Sequence, residues 1–179
     1  RVLFRSIARQ SNTVGGHSVL GEFTPPDVTY PNGCHICEVE IDPTTGKVAF
    51  CDYVVVEDVG TVLSPDLVMG QMHGGVAQGI GQALGENLLF DPQGQLLTGS
   101  FLDYQMPVAS DFPPFRIMTI AVPTAINSLG AKGVGEAGTV GALAATMNAV
   151  ADALASAGVH DFEMPATPYR VWQALQSST

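Results

Sequence analysis

The clearest alternation of apolar and polar positions lies near residue 40. Cys37, Val39 and Ile41 share one face of a two-residue period, with Glu38 and Glu40 on the other, which predicts a half-buried strand. Asp42-Pro43-Thr44-Thr45-Gly46 supplies turn chemistry. A return strand follows through Val48, Phe50 and Tyr53 to Val54-Val55-Val56. Residues 34–59 therefore predict a β-hairpin, and the triple valine predicts burial on both faces. Ser64-Pro65-Asp66 then opens a helix, with serine as N-cap, proline at the first helical position and an acid in the first turn. Met72, Val76, Ile80 and Leu84 form its apolar row at four-residue spacing, and the pattern runs to about Leu89.

That helix carries Gly70, Gly74, Gly75, Gly79, Gly81 and Gly85. Each costs roughly 0.5–1 kcal/mol relative to alanine in a helix interior, so a neighbouring helix or a cofactor is expected close against the backbone. Farther on, Asp91-Pro92-Gln93-Gly94-Gln95 reads as a turn, and Leu96 to Met106 as a strand stopped by Pro107. Phe115 to Val122 reads as a second strand with Ile117 and Ile120 alternating inward. A helix from Thr139 to Ala157 places Leu143, Met147, Val150 and Leu154 on one face, with Gly158 as its C-terminal cap. Thr167-Pro168 starts a last helix with Val171, Trp172 and Leu175 inward.

At the start of the chain, Val2 to Arg9 is strand-like, followed by the loop Gly15-Gly16-His17 and proline-rich turns up to Gly33. Residues 1–33 read as a loop-rich lead-in from missing upstream sequence, with Arg1 standing where a complete chain has Met. The order β, β, α, β, β, α, α lacks regular β–α alternation and predicts an α+β fold, a single domain over residues 1–179.

Hydrophobic residues make up 46% of the chain and charged ones 13%, so part of the surface is expected to lie against other protein. Seven basic residues and a net charge of −10 argue against nucleic acid. No run approaches the roughly 18 apolar residues of a membrane span, and no signal peptide is visible, which places the protein in the cytoplasm. Cys34-His35-Ile36-Cys37 spells C-x-x-C, but in a strand residues three apart face opposite sides. With only Cys51 in addition, the cysteines read as ordinary thiols rather than a zinc or iron–sulfur site. No metal ligand is assigned. His17, His35 and His160 have no visible constellation, and His73 reads as a polar helix position.

The strongest chemical signal is Gly130-Ala131-Lys132-Gly133-Val134-Gly135-Glu136-Ala137-Gly138, a glycine loop feeding directly into a helix. Free N–H groups and the positive dipole end suit an anion or a phosphorylated cofactor. The letters also satisfy G-x-G-x-x-G. However, that motif binds a dinucleotide only after a buried strand, and here the approach, Pro123 to Leu129, reads as loop. Taken alone, Glu136 is a helix-dipole carboxylate worth typically 0.3–1 kcal/mol, and Gln71 and Lys132 are solvated side chains.

Taken together, three stretches are more specific: Val56-Glu57-Asp58-Val59-Gly60, the run from Gly70-Gln71-Met72-His73 to Gln78-Gly79-Ile80-Gly81, and Gly130 to Glu136. With Thr29-Tyr30-Pro31-Asn32-Gly33 and Glu38-Val39-Glu40-Ile41-Asp42, they resemble the C-terminal part of the large subunit of molybdenum hydroxylases. This is the xanthine dehydrogenase, aldehyde oxidase and aerobic carbon monoxide dehydrogenase family, and the flavour is nearer the carbon monoxide dehydrogenase-like branch. The resemblance implies a molybdopterin cofactor with molybdenum, cytosine dinucleotide being the favoured form. It also implies a small-molecule substrate: an aldehyde, an N-heterocycle or the like, oxidised with water as oxygen source.

Glu136 matches the catalytic glutamate, a general base for the water-derived oxygen. Gln71 matches a glutamine bonding the pterin or metal-oxo region. Lys132, Gly133, Val134 and Gly135 match the stretch along the cofactor, Asp58 an acidic position near it, and Gln78 a further contact. FAD and iron–sulfur clusters are then expected on a medium and a small partner subunit, and the rest of the large subunit on missing sequence. By itself the chain is expected to be inactive. A non-catalytic scaffold of the same fold is the competing expectation.

Overall fold

The computed structural model describes residues 20–177. The strand expected at Val2 to Arg9 and the loop at Gly15-Gly16-His17 lie outside them. The hairpin forms as β1 (Asn32–Ile41) and β2 (Val48–Asp58), paired antiparallel from Asn32 opposite Asp58 to Ile41 opposite Val48. Asp42 closes the turn, its side chain accepting hydrogen bonds from the Thr44 N–H and the Thr45 hydroxyl. Gly46 takes φ +70° there, with its Cα packed against Pro168 and Trp172. A register shift between Glu38 and Val39 leaves Cys51 as the extra residue of β2.

The helix α1 (Pro65–Leu84) follows, then β3 (Arg116–Thr119), which pairs parallel with β2 to complete a three-stranded sheet in the order β1-β2-β3. The last two helices are α2 (Ala137–Ala155) and α3 (Pro168–Ser177). The mixture of strands and helices is the expected α+β architecture. α1 and α2 lie together on one sheet face, burying Tyr53, Val55, Val59, Met72, Val76, Ile80 and Ala142. Each valine, isoleucine or methionine among them contributes roughly 1.5–3 kcal/mol when fully buried. A second cluster, Val150, Leu154, Ala166 and Val171, ties α3 to the far end of α2.

The structure corrects several sequence expectations. α1 stops at Leu84 rather than Leu89, because Gly85 ends the helix and the Gly85 and Glu86 N–H groups both return to the Gly81 carbonyl. Ser64 holds the N-cap position, but its hydroxyl makes no capping bond. Leu96 to Met106 is not a strand. The Thr98 hydroxyl pins that segment to Asn87 and Leu89, and Ser100 folds it into a turn through Asp103 and Tyr104. β3 is only four residues long, and Ile120, expected inward, is exposed.

On α2 the buried row is Gly138, Ala142, Thr146, Val150 and Leu154, while Leu143 and Met147 are half-buried. The triple valine alternates, with Val55 fully buried and Val54 and Val56 half-buried, since helices cover one face only among the described residues. On α3 only Val171 is buried. Leu175 is half-buried, and Trp172 keeps about 38% of its surface exposed.

Candidate functional site

The glycine loop before α2 is held by the end of β2. Gly60 and Ala131 form an antiparallel bridge, the Thr61 N–H donates to the Gly130 carbonyl and the Lys132 N–H to the Val59 carbonyl. Gly60 and Gly130 both take positive φ, and a Cβ on Gly60 would strike the Gly130 carbonyl oxygen. Asn127 shapes the approach: its amide donates to the Ala131 carbonyl, and its side-chain oxygen accepts from Leu129 and Ala131.

Asp58 is the hub of this junction. One carboxylate oxygen accepts from the Gly60 N–H at 2.8 Å and the Val122 N–H at 3.0 Å, and the other from the Lys132 ammonium at 2.5 Å. The Lys132 hydrogen bond, aided by the Gly60 amide, holds the Asp58 carboxyl below the usual aspartate range. Both side chains are largely covered. Lys132 is thus committed to Asp58, and the pair clasps the glycine loop to β2.

Beyond the clasp, Gly133, Gly135 and Glu136 are exposed, and Val134 packs on the core. Glu136 stands at the N-cap of α2, with no side-chain cap bond of its own, and its carbonyl accepts from the Val140 N–H. The carboxylate is therefore not used in closing the helix. Behind it, Gly138 packs on the α1 backbone at Met72–Val76, and Gly79 packs on Thr139, Ala142 and Leu143. This close crossing accounts for Gly75 and Gly79. Around Gly70, Gly74, Gly133 and Gly135 nothing lies within 4 Å of where a Cβ would stand. Gln71 and Gln78, seven residues apart, are both exposed, and Gln78 accepts from the Thr139 hydroxyl at 3.2 Å.

Open glycines beside two carboxamides and an uncapped helix start fit a flat, hydrogen-bonding, anionic cofactor. His73 bonds the Met69 carbonyl within its own helix.

The structure brings Glu136, Gly133 and Gly135 together in a cleft of about 470 Å³, closed on the sheet side by Gly33, His35 and Glu57. Gln71 does not line it. Glu57 and His35 are the site features that sequence reasoning missed. The signal for Glu57 was the strand period itself, which carries the inward face from Tyr53 and Val55 on to residue 57. Its carboxyl is pushed up, first by burial and then by the Asp58 charge. His35 bonds the Tyr53 hydroxyl at 2.9 Å through Nδ1, and burial lowers its pKa. A larger cleft of about 660 Å³, between the hairpin turn and the end of α1, contains none of the candidate cofactor-binding or catalytic residues. Among the cysteines, Cys34 and Cys51 are exposed, whereas Cys37 faces the helices near Thr146, where burial pushes its thiol up to about 11.

Comparison with known proteins identifies the family. Residues 5–113 match the molybdopterin cofactor-binding domain. Over 147 residues the chain is 47% identical to the nicotine 6-hydroxylase large subunit of Paenarthrobacter nicotinovorans, covering 82% of this chain and 18% of that one. Its fold superposes on the reconstituted CO dehydrogenase from Oligotropha carboxidovorans with a TM-score of 0.83 at 34% identity, covering 86% of this chain and 19% of that one. Quinoline 2-oxidoreductase from Pseudomonas putida 86 gives 0.74 at 41% identity, covering 77% and 18%. The chain belongs to the molybdopterin-binding large subunits of the molybdenum hydroxylase family, oxidoreductases that include the xanthine dehydrogenases and the carbon monoxide dehydrogenases. It spans about a fifth of the length of the curated relatives it matches.

Proposed function

We propose that this chain is the part of a molybdenum hydroxylase that supplies its general base, Glu136, for oxidising an N-heterocycle, an aldehyde or a similar small molecule with water as oxygen source. The observation that carries this is Glu136 itself: an exposed carboxylate, unused by its helix, at the mouth of a cleft behind an open glycine loop. The cofactor, molybdopterin in its cytosine dinucleotide form, supplies the two-electron oxidation and acidifies the water-derived oxygen. The protein's share is positional. Gln71, with Gln78 about two turns further on, would offer hydrogen bonds along α1, and the Gly133-Val134-Gly135 backbone would lie along the cofactor. Asp58 and Lys132 keep that backbone in place through their clasp. Glu136 accepts the proton from the attacking oxygen, as a general base within hydrogen-bond reach does.

Iron–sulfur clusters and FAD on partner subunits would carry the electrons onward, and the rest of the large subunit would complete the pocket. Three free thiols fit a reducing cytoplasm, and no helix among the described residues is long and apolar enough to cross a membrane.

A second reading, a cofactor-free scaffold, is favoured by the commitment of Lys132 to Asp58. Glu136→Gln in the complete enzyme separates the two. The catalytic reading expects loss of turnover by at least 100-fold, the general scale of acid–base catalysis, with molybdenum content unchanged. Undiminished turnover sinks the base. A wild-type assembly free of molybdenum supports the scaffold.

A further inference from the structure

The Glu136 cleft holds a second carboxyl group, which the proposed base chemistry leaves unused. Glu57 ends the inward face of β2 and is 4% exposed. Directly across the ladder stands Gly33, and the carboxyl rests over it: any Cβ at position 33 would overlap Oε2 and Cδ of Glu57. A glycine on β1 thus makes a seat for a carboxyl on β2. No lysine or arginine lines the cleft among the described residues, and Lys132, on the neighbouring loop, is held by Asp58. The groups acting on Glu57 are the low-dielectric surroundings and the Asp58 charge, both favouring its protonated form. The other titratable groups facing the cleft are His35 from β1 and Glu136 ahead of α2. The first turn of α2 contributes only Ala137, Val140 and Gly141. Neither His35, whose Nδ1 is taken by Tyr53, nor Glu136 offers Glu57 a fixed positive charge.

A cleft with one exposed and one buried carboxyl divides acid and base roles by environment. We propose that Glu57 is a ligand-binding residue of this cleft, donating its carboxyl O–H to an acceptor atom of the molecule seated beside Glu136, a carbonyl oxygen or an unprotonated ring nitrogen. Such acceptors occur on an oxidisable heterocycle and on a pterin alike. The assignment rests on the cofactor-and-substrate reading of the cleft, not on Glu136 acting as a base.

Infrared difference spectroscopy on the complete enzyme tests it, because a protonated carboxyl has its own C=O stretch. At pH values below that at which Glu57 ionises, the wild type is expected to show one such band that is missing in Glu57→Gln and displaced in Glu57→Asp. The band should move to lower frequency when its O–H finds an acceptor. A shift between cofactor-depleted and cofactor-loaded enzyme identifies the pterin as the ligand. A shift only on adding nicotine or quinoline as probe identifies the substrate. Absence of the band, or a band that moves with neither, overturns the proposal.

Affinity gives a second measure. Glu57→Gln keeps a donor and should hold KM for the probe, or molybdenum content if the pterin is the partner, within about twofold. Glu57→Leu should weaken the same quantity about tenfold, the scale of one hydrogen bond. Equal behaviour of the two variants counts against donation. Glu136→Gln leaves the band in place whatever it does to turnover, so the base and the donor stand or fall separately.

Discussion

Gly138 and Gly74 look alike in the sequence and differ in what a methyl group would meet. A Cβ on Gly138 would stand 2.7 Å from the Met72 carbonyl oxygen and 2.9 Å from the Val76 nitrogen, both backbone atoms of α1 that cannot swing aside. Gly138→Ala is therefore expected to push the helices apart and cost about 1–3 kcal/mol, read from the denaturant midpoint of the chain. Gly74→Ala meets nothing among the described residues, so in the isolated chain it should stabilise α1 by about 0.5–1 kcal/mol. In the assembled enzyme, where the cofactor is proposed to lie along this face, the same change should lower molybdenum content. Unchanged content there would show that the open face is merely solvent.

The neighbours Asp58 and Glu57 carry opposite pH signatures. The depressed Asp58 contributes stability that is present above the ordinary aspartate value, near pH 4, and lost as pH falls through its lowered value. The raised Glu57 contributes stability fully present below the ordinary glutamate value and lost as pH climbs through its raised one. Urea midpoints between pH 3 and 8, a range set by those side-chain values, should thus respond in opposite senses. Asp58→Asn removes part of the acid-side loss, and Glu57→Gln removes part of the alkaline-side loss. The sequence could suggest that Asp58 mattered. It could not show that the partner is Lys132, 74 residues away, since nothing local records such a pairing.

At the level of elements, the hairpin and the helices were legible because their signals are periodic and local. The alternation at 37–41, the Asp42 turn and the Met72–Val76–Ile80 row each dictate their structure within a few residues. Legibility failed where side chains compete with the backbone. Leu96 to Met106 has the apolar content of a strand, yet Thr98 and Ser100 spend their hydroxyls on neighbouring backbone groups or side chains and bend the segment. It failed again on α2, where bulk was mistaken for burial. The close crossing brings Gly75 and Gly79 against Gly138, Thr139 and Ala142, and Leu143 and Met147 are left half-buried beside it.

The junction of β1, β2 and α2 can be tested as a unit through His35. Its ring touches Gly141 of α2 and accepts or donates the hydrogen bond of the fully buried Tyr53 hydroxyl. His35→Ala should leave that hydroxyl without a partner and cost about 1–3 kcal/mol, seen as a lowered unfolding temperature. Adding Tyr53→Phe should recover part of the loss, and a double-mutant cycle with no coupling would separate the two side chains energetically.

For the whole molecule, the 46% hydrophobic content exceeds what one sheet face and three helices can cover. The helices shield a single side of the sheet, so Ile36 and Met118 are left exposed on the other, with Val56 half-buried between Cys34 and Met118 in the ladder. Around the turn at Ser100, Phe101 and Leu102 are 82% and 93% exposed. Exposed apolar surface of this kind favours association. The isolated chain should therefore self-associate at micromolar concentration by light scattering, and more so at high salt, as its net charge of −10 is screened. Replacing Phe101 and Leu102 together by serine should reduce that association without moving the unfolding midpoint, because neither side chain belongs to a buried cluster. Persistent association in the double variant would instead place the adhesive surface on the open sheet face, and Met118→Lys, beside Val56 in the ladder, would then be the change that disperses it.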